Sequence, residues 1–226
     1  NHPLSKTEES INELLSGYPR NHNYRIRNKN LYPSFRLHER VKTVTKLYPE
    51  NFKSFLDIAC CRGFFVMDAA KDRHCQRSVG IDVHKPFIRI SGRVKNYLNV
   101  GNAAFYLAKL DEIADHPESY GGPFQTVLLI GAYHYLFWGS DLCSNAYHSH
   151  EHIFHKLSQV CSNRLILSGR FEVNRLTEQI KATDELNEKR FIYNTASVLK
   201  AASLFFNIHP SGYLGKYPLF LMLKKN

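Results

Sequence analysis

No apolar run in this sequence approaches the roughly 20 residues that a membrane-spanning helix needs, so the expectation is a soluble globular protein. The residues after Asn1 lack the basic-then-apolar layout of a secretory signal. The five cysteines (Cys60, Cys61, Cys75, Cys143 and Cys161) are odd in number and contain no C-x-x-C pair. That excludes a simple disulfide framework and the common zinc and dithiol motifs, and makes a reducing cytoplasm the expected setting. Internal repeats and low-complexity segments are also missing, which excludes solenoids and tails. Acids are in deficit: 20 Asp and Glu stand against 30 Lys and Arg, for a formal net charge of +10. Such an excess favours a polyanionic partner, because lysines and arginines displace counterions from phosphates. With 226 residues the chain can bury a full core, as one large domain or one domain with an appendage.

The most informative stretch is Phe55 to Ala70. Phe55, Leu56 and Ile58 make an apolar strand carrying Asp57, which runs into the small-residue turn Ala59-Cys60-Cys61-Arg62-Gly63 and then into a helix from Phe64. A strand, tight loop and helix in this order bring backbone N–H groups to a helix N-terminus, which favours a polar or anionic ligand. Ser78 to Val83 reads as a second buried strand ending in an acid, Asp82, about 20 residues beyond the turn, the offset at which nucleotide-binding α/β units present a ribose acid. The other reading of Asp82 is an acid that caps the following helix. That helix, His84 to Leu98, buries Phe87, Ile90, Val94 and Tyr97 and aligns Lys85, Arg89 and Arg93 on another face. Ala103 to Leu107 is a third strand, followed by Asp111 and Glu112.

The first of these stretches resembles the opening motif of the class I S-adenosylmethionine-dependent methyltransferases, an apolar strand ending in an acid and followed by three alternating glycines. Here the glycine positions fall on Ala59, Cys61 and Gly63, and only the last is kept. Ala and Cys carry a Cβ and do not take positive φ at low cost. The resemblance implies cofactor contacts at Asp57, Ala59, Cys61 and Gly63, ribose contacts at Asp82, and an adenine contact at Asp111 or Glu112. Phe124 to Gly131 is a central strand, apolar enough to be buried on both faces. The residues after it resemble the fourth methyltransferase motif, which adds Gly131 to the cofactor set and makes Tyr133 and His134 candidates for the catalytic side. In an open α/β sheet ligands lie beyond the carboxyl ends of the strands. His134, with an unperturbed pKa near neutrality, suits a general base or a substrate anchor, and a structural histidine bonded to backbone is the other reading.

Before the first strand, Ser5-Lys6-Thr7-Glu8 fits a capping box for a helix over residues 6–16. From Tyr18 to Lys46 the chain is basic, with Arg20, Arg25, Arg27, Lys29, Arg36, Arg40, Lys42 and Lys46 against the single acid Glu39. Tyr18, Tyr24, Tyr32 and Phe35 are interleaved with them. Cations beside aromatic rings suit phosphate contact and base stacking on RNA, and an arm with solvated arginines is the alternative. Leu37, Val41, Val44 and Tyr48 predict a second helix running to Pro49. His148, His150, His152 and His155 invite a metal reading, but Ile153, Leu157 and Val160 set the buried face of a helix there and leave His152 and His155 outside, so no metal is expected. Arg164 to Gly169 is a fifth strand. Leu176, Ile180 and Leu186 predict helical structure in a polar segment where related folds carry a lid. A helix through Val198, Leu199 and Ala202 then precedes two closing strands, Leu204–His209 and Pro218–Lys224, about a turn at Pro210-Ser211-Gly212.

Alternating strands and helices imply an α/β, doubly wound, mainly parallel seven-stranded sheet of the class I methyltransferase type, over residues 50–226 after an N-terminal helical, basic extension over 1–49. Phe55–Phe65, Phe124–Tyr135 and Arg190–Leu199 look most like enzymes that modify the tRNA wobble uridine, some of which use a carboxylated cofactor. The resemblance implies methyl transfer from S-adenosyl-L-methionine, with RNA as the acceptor. Two alternatives stand beside it: a small-molecule methyltransferase, and a non-enzymatic RNA- or protein-binding relative with a degenerate cofactor site.

Overall fold

A computed structural model describes residues 4–17, 22–144, 146–176 and 188–225. Its strands form a two-stranded hairpin, β1 (Tyr24–Arg27) with β2 (Asn30–Pro33), and a seven-stranded sheet. In chain order the sheet strands are β3 (Ser54–Ile58), β4 (Arg77–Asp82), β5 (Ala103–Leu107), β6 (Phe124–Ile130), β7 (Cys161–Ser168), β8 (Phe206–Leu214) and β9 (Tyr217–Lys224). They hydrogen-bond in the order β5-β4-β3-β6-β7-β9-β8. Pairing is parallel from β3 to β4, β4 to β5 and β6 to β7, while β9 runs antiparallel to both β7 and β8. This is the expected seven-stranded sheet with an antiparallel closing pair. The chain divides into two compact units, residues 1–109 and 110–226.

In the first unit, Ser5 accepts from the Glu8 N–H and Glu8 reaches back to Ser5, so the predicted capping box opens α1 (Lys6–Leu15). The next stretch, which the sequence presents as a basic segment studded with rings, forms a hairpin. Asn28 and Lys29 both have positive φ (50° and 57°), and this two-residue loop pairs Arg27 with Asn30. Such a loop has the twist that antiparallel strands require. Tyr24 and Ile26 point inward while Arg25 and Arg27 face out. Asn12 closes the β1 edge, accepting from the Ile26 N–H and donating to the Ile26 carbonyl at 2.7 and 2.9 Å. Helix α2 (Phe35–Val44) buries Leu37 and Val44 and ends in a 3-10 turn, Thr45–Leu47, before β3. Helices α3 (Phe64–Ala70) and α4 (Lys85–Leu98) follow β3 and β4.

In the second unit, helices α5 (Leu110–Asp115), α6 (Tyr133–Trp138), α7 (His150–Val160) and α8 (Thr195–Ala202) accompany β6 to β9. The closing hairpin turns at Gly215-Lys216, with Leu214 paired to Tyr217, and not at Pro210-Ser211-Gly212 as the sequence suggests. Gly215 supplies the positive φ (64°), whereas Pro210 and Gly212 sit at a register irregularity within β8. Because β8 is an edge strand it tolerates a proline that donates no ladder bond. Ile180 and Leu186, read as part of a lid, lie outside the described residues. Among the described residues, no helix is long and apolar enough to cross a membrane.

Arg62, only 5% exposed, fastens the N-terminal elements to the loop after β3. Its guanidinium donates to the Asn23 side chain (2.8 Å) and the Leu15 carbonyl (3.4 Å), while the Arg62 carbonyl accepts from the buried Tyr24 hydroxyl at 2.7 Å. Tyr24 also packs edge-on against Phe64, with ring centroids 5.2 Å apart. Tyr24→Phe retains the ring and strands a buried carbonyl, so it should lower unfolding stability by about 1–2 kcal/mol, as read from the midpoint of urea denaturation.

Candidate active site

Strand β3 ends at Ile58, and the next residues fold back over the tip of β4. The Cys60 N–H donates to the Ile81 carbonyl and the Cys61 N–H to Asp82 Oδ2, both at 2.9 Å, and Gly63 N–H closes on the Cys60 carbonyl at 2.9 Å. Several loop N–H groups are therefore satisfied within the protein. Ala59, Cys61 and Gly63 adopt φ of +59°, +51° and +74°. The three positions at which the resemblance expects glycine thus share the left-handed conformation. Two of them hold it despite a Cβ, at a cost of roughly 1–2 kcal/mol each. A Cβ on Gly63 would lie 2.4 Å from the Phe105 ring, and one on Gly80 would lie 2.8 Å from Cys60 Sγ. Gly80 therefore lets the loop settle directly on β4.

Asp82 is buried and uses one oxygen for Cys61 and the other for the His84 N–H (2.8 Å) at the start of α4. The same carboxylate thus bonds the residue that opens α4 and ties the loop after β3 to β4. Burial raises the Asp82 pKa, opposed by the His84 and Cys61 backbone bonds. Asp57 lies deeper in β3, and its pKa is raised first by burial and then by the Asp82 charge, with Arg40 offsetting part of this. Arg40 is half-buried and donates to His22 Nε2 at 3.1 Å. Burial and the Arg40 and Arg62 charges push His22 down to about 3. It is therefore a neutral acceptor for Arg40.

Within the second unit, Gly131 has φ +76° and donates to the Ser168 carbonyl at 2.8 Å, which joins the ends of β6 and β7. Tyr133 is fully buried, and its hydroxyl lies 2.7 Å from His150 Nδ1. His150 Nε2 lies 2.9 Å from the Ile192 carbonyl, which can only accept, so Nε2 carries the hydrogen and Tyr133 donates to Nδ1. The Tyr133 hydroxyl is thus spent inside a cluster of rings that includes Phe137 and Tyr193. His134 differs. It is 1% exposed, and neither ring nitrogen has a hydrogen-bond partner among the described residues. Burial, followed by the Arg170 charge, pushes it down to about 3. It is a neutral imidazole with one donor and one acceptor unused, better suited to anchoring a ligand hydroxyl or amine than to acting as a strong base.

Asp111 and Glu112 occupy the first turn of α5, with Asp111 3.8 Å from Lys156 Nζ. Arg25, Arg27, Lys29 and Arg36 are exposed, Arg40 is turned inward, and Arg20 lies outside the described residues. His152 and His155 are exposed on α7. No group of three His, Cys, Asp or Glu close enough to hold a metal occurs among the described residues. Sequence reasoning misses the role of Arg62, the His22–Arg40 pair, and a basic cleft formed by Arg170, Arg175 and Lys216. Each is assembled from positions far apart in the chain with no shared motif.

No protein-family description and no curated protein matches this sequence. Solved structures do resemble it. The bifunctional kinase-methyltransferase WbdD aligns over 81% of this chain with a TM-score of 0.59 and 16% identity. The present chain covers 39% of that protein's length. The PH0226 protein of Pyrococcus horikoshii OT3 aligns over 88% of this chain and 94% of its own (TM-score 0.60, 17% identity). The N-methyltransferase NodS of Bradyrhizobium japonicum WM9 aligns over 84% of this chain and 97% of its own (TM-score 0.56, 12% identity).

The buried Asp57 has a measurable consequence. Its folded pKa lies above the ordinary 3.8, so between those two values the folded state binds more protons than the unfolded one and stability falls as pH rises. Asp57→Asn should therefore be more stable than the parent near pH 8, with the gap closing as the pH falls to about 4. Urea midpoints across that range measure it. The fold itself is that of the class I methyltransferases.

Proposed function

We propose that the chain binds S-adenosyl-L-methionine over the 59–63 loop and transfers its methyl group to a nucleophilic acceptor. The observation that carries this reading is the wiring of Asp82 into a loop whose three small residues all hold the left-handed conformation. The missing glycines thus do not cost the loop its backbone shape. The chemistry of these residues suits the cofactor: the Asp82 carboxylate would accept from ribose hydroxyls, and Asp57 would face the methionine end. What S-adenosylmethionine supplies is a methyl group on a sulfonium, which departs readily and leaves the protein mainly the work of positioning. His134, neutral and with no partner for either nitrogen among the described residues, is the candidate anchor for an acceptor hydroxyl or amine.

For the acceptor, an RNA reading draws on the hairpin. Arg25 pairs across strands with Tyr32, which is 50% exposed, and Phe35 beside them is 82% exposed. Cations next to open rings suit stacking on single-stranded bases. The loose likeness to wobble-uridine enzymes supports the same reading, and a cytoplasmic location accords with it. RNA affinity that falls steeply with salt, and falls further in an Arg25→Gln, Arg27→Gln variant, is the expected outcome of a filter-binding titration.

Calorimetric titration tests the cofactor claim. S-adenosylmethionine and S-adenosylhomocysteine should bind in the micromolar range, and Asp82→Asn, which keeps the side-chain shape, should weaken both by about tenfold or more. Absence of binding to folded protein would overturn the proposal.

A further inference from the structure

The second unit contains an open cleft of about 400 Å³ lined by Arg170, Asn174, Arg175, Leu176, Lys216 and Tyr217. Its volume lies within the range of small-molecule sites, roughly 300–1,000 Å³. Three of its six lining residues are cations, and they come from two segments. Arg170 follows β7, Arg175 ends the 3-10 turn Val173–Arg175, and Lys216 sits in the β8–β9 turn. The register explains the meeting. Ser168 pairs with Leu219, so Arg170, two residues on, comes level with Tyr217 at the start of the antiparallel strand. The cleft thus lies at the carboxyl end of β7, where ligands of α/β sheets are bound.

The cations are held in place. Arg175 Nη1 donates to the Lys216 carbonyl at 3.4 Å. The guanidinium of Arg170 and the ammonium of Lys216 each lie 5.7 Å from the centre of the Tyr217 ring. No ion pair neutralises any of the three among the described residues. The nearby acid Glu172 is committed elsewhere: one of its oxygens accepts from both the Thr195 N–H and the Thr195 hydroxyl. Like charges gathered in a cleft repel one another unless an anion joins them, and two guanidinium forks with an ammonium match a phosphate dianion better than a single carboxylate. The Arg170 charge also acts on His134 of the same unit.

We propose that this cleft holds the phosphate of a small phosphomonoester. This site does not rest on the methyltransferase reading above. Bound there, the phosphate offsets the Arg170 charge.

The test uses the whole chain, with ribose 5-phosphate as the probe, ribose as its neutral counterpart and a single-stranded RNA as competitor, each titrated calorimetrically. Ribose 5-phosphate should bind, inorganic phosphate should compete with it, and ribose should not bind. Lys216→Gln and Arg175→Gln, both at exposed positions, should each weaken it about tenfold while leaving the unfolding midpoint and S-adenosylmethionine binding unchanged. Asp82→Asn should leave phosphate binding intact. Absent binding, or equal binding by the parent and both glutamine variants, overturns the proposal. It is also overturned if the two substitutions weaken RNA binding and leave ribose 5-phosphate unaffected. Phosphate binding lost in these variants, in a protein that never binds S-adenosylmethionine, would sustain the site and sink the methyltransferase reading alone.

Discussion

The Asp82 carboxylate is the constraint on which the candidate site depends. By accepting from Cys61 on one side and from His84 on the other, it joins the loop after β3 to the start of α4. The loop has little freedom left once that bond forms, because Cys60 is bonded to Ile81 and Gly63 to Cys60. Left-handed backbone at Ala59 and Cys61 is disfavoured for residues with a Cβ. It persists here because neighbouring bonds over-determine it, as is common where strain is kept at functional positions. From below, Arg62 and Tyr24 clamp the same loop to the N-terminal hairpin. That hairpin is therefore part of the support of the site as well as a surface.

Much of the sheet was legible in the sequence because buried parallel strands are short continuous apolar runs. Ala103–Leu107 and the Phe124 strand are found where those runs fall, and Asp82 stands at the end of its strand as its spacing implies. Loss was greatest where local signals were weak or in competition. The Tyr24–Pro33 hairpin has only four residues per strand, and its Asn-Lys turn lacks the glycine that usually announces such a loop. The closing turn was misplaced because Pro-Ser-Gly is a strong turn signal, yet an edge strand absorbs those residues as an irregularity.

The site divides along similar lines. The positions of Asp57, Asp82 and Gly63 are legible because spacing along a strand-loop-helix unit is a local property. That Tyr133 spends its hydroxyl on His150 while neither nitrogen of the adjacent His134 has a partner among the described residues is not legible, because helix position separates two neighbours whose sequence context is the same. Burial also reverses the naive view of His134. A pKa near neutrality would make it a base, but with its pKa pushed down to about 3 it is a neutral hydrogen-bonding group. Arg170, Arg175 and Lys216 meet only through the antiparallel closure of the sheet, which no spacing rule connects.

The central claim is that this loop, with alanine and cysteine in place of two glycines, still receives a nucleoside cofactor at Asp82. A crystal structure of the chain with S-adenosylhomocysteine tests it most directly. Ribose hydroxyls should lie within hydrogen-bond distance of Asp82, and the loop should keep its left-handed residues at 59, 61 and 63. Ligand density elsewhere on the chain, with Asp82 bonded only to Cys61 and His84, would contradict it.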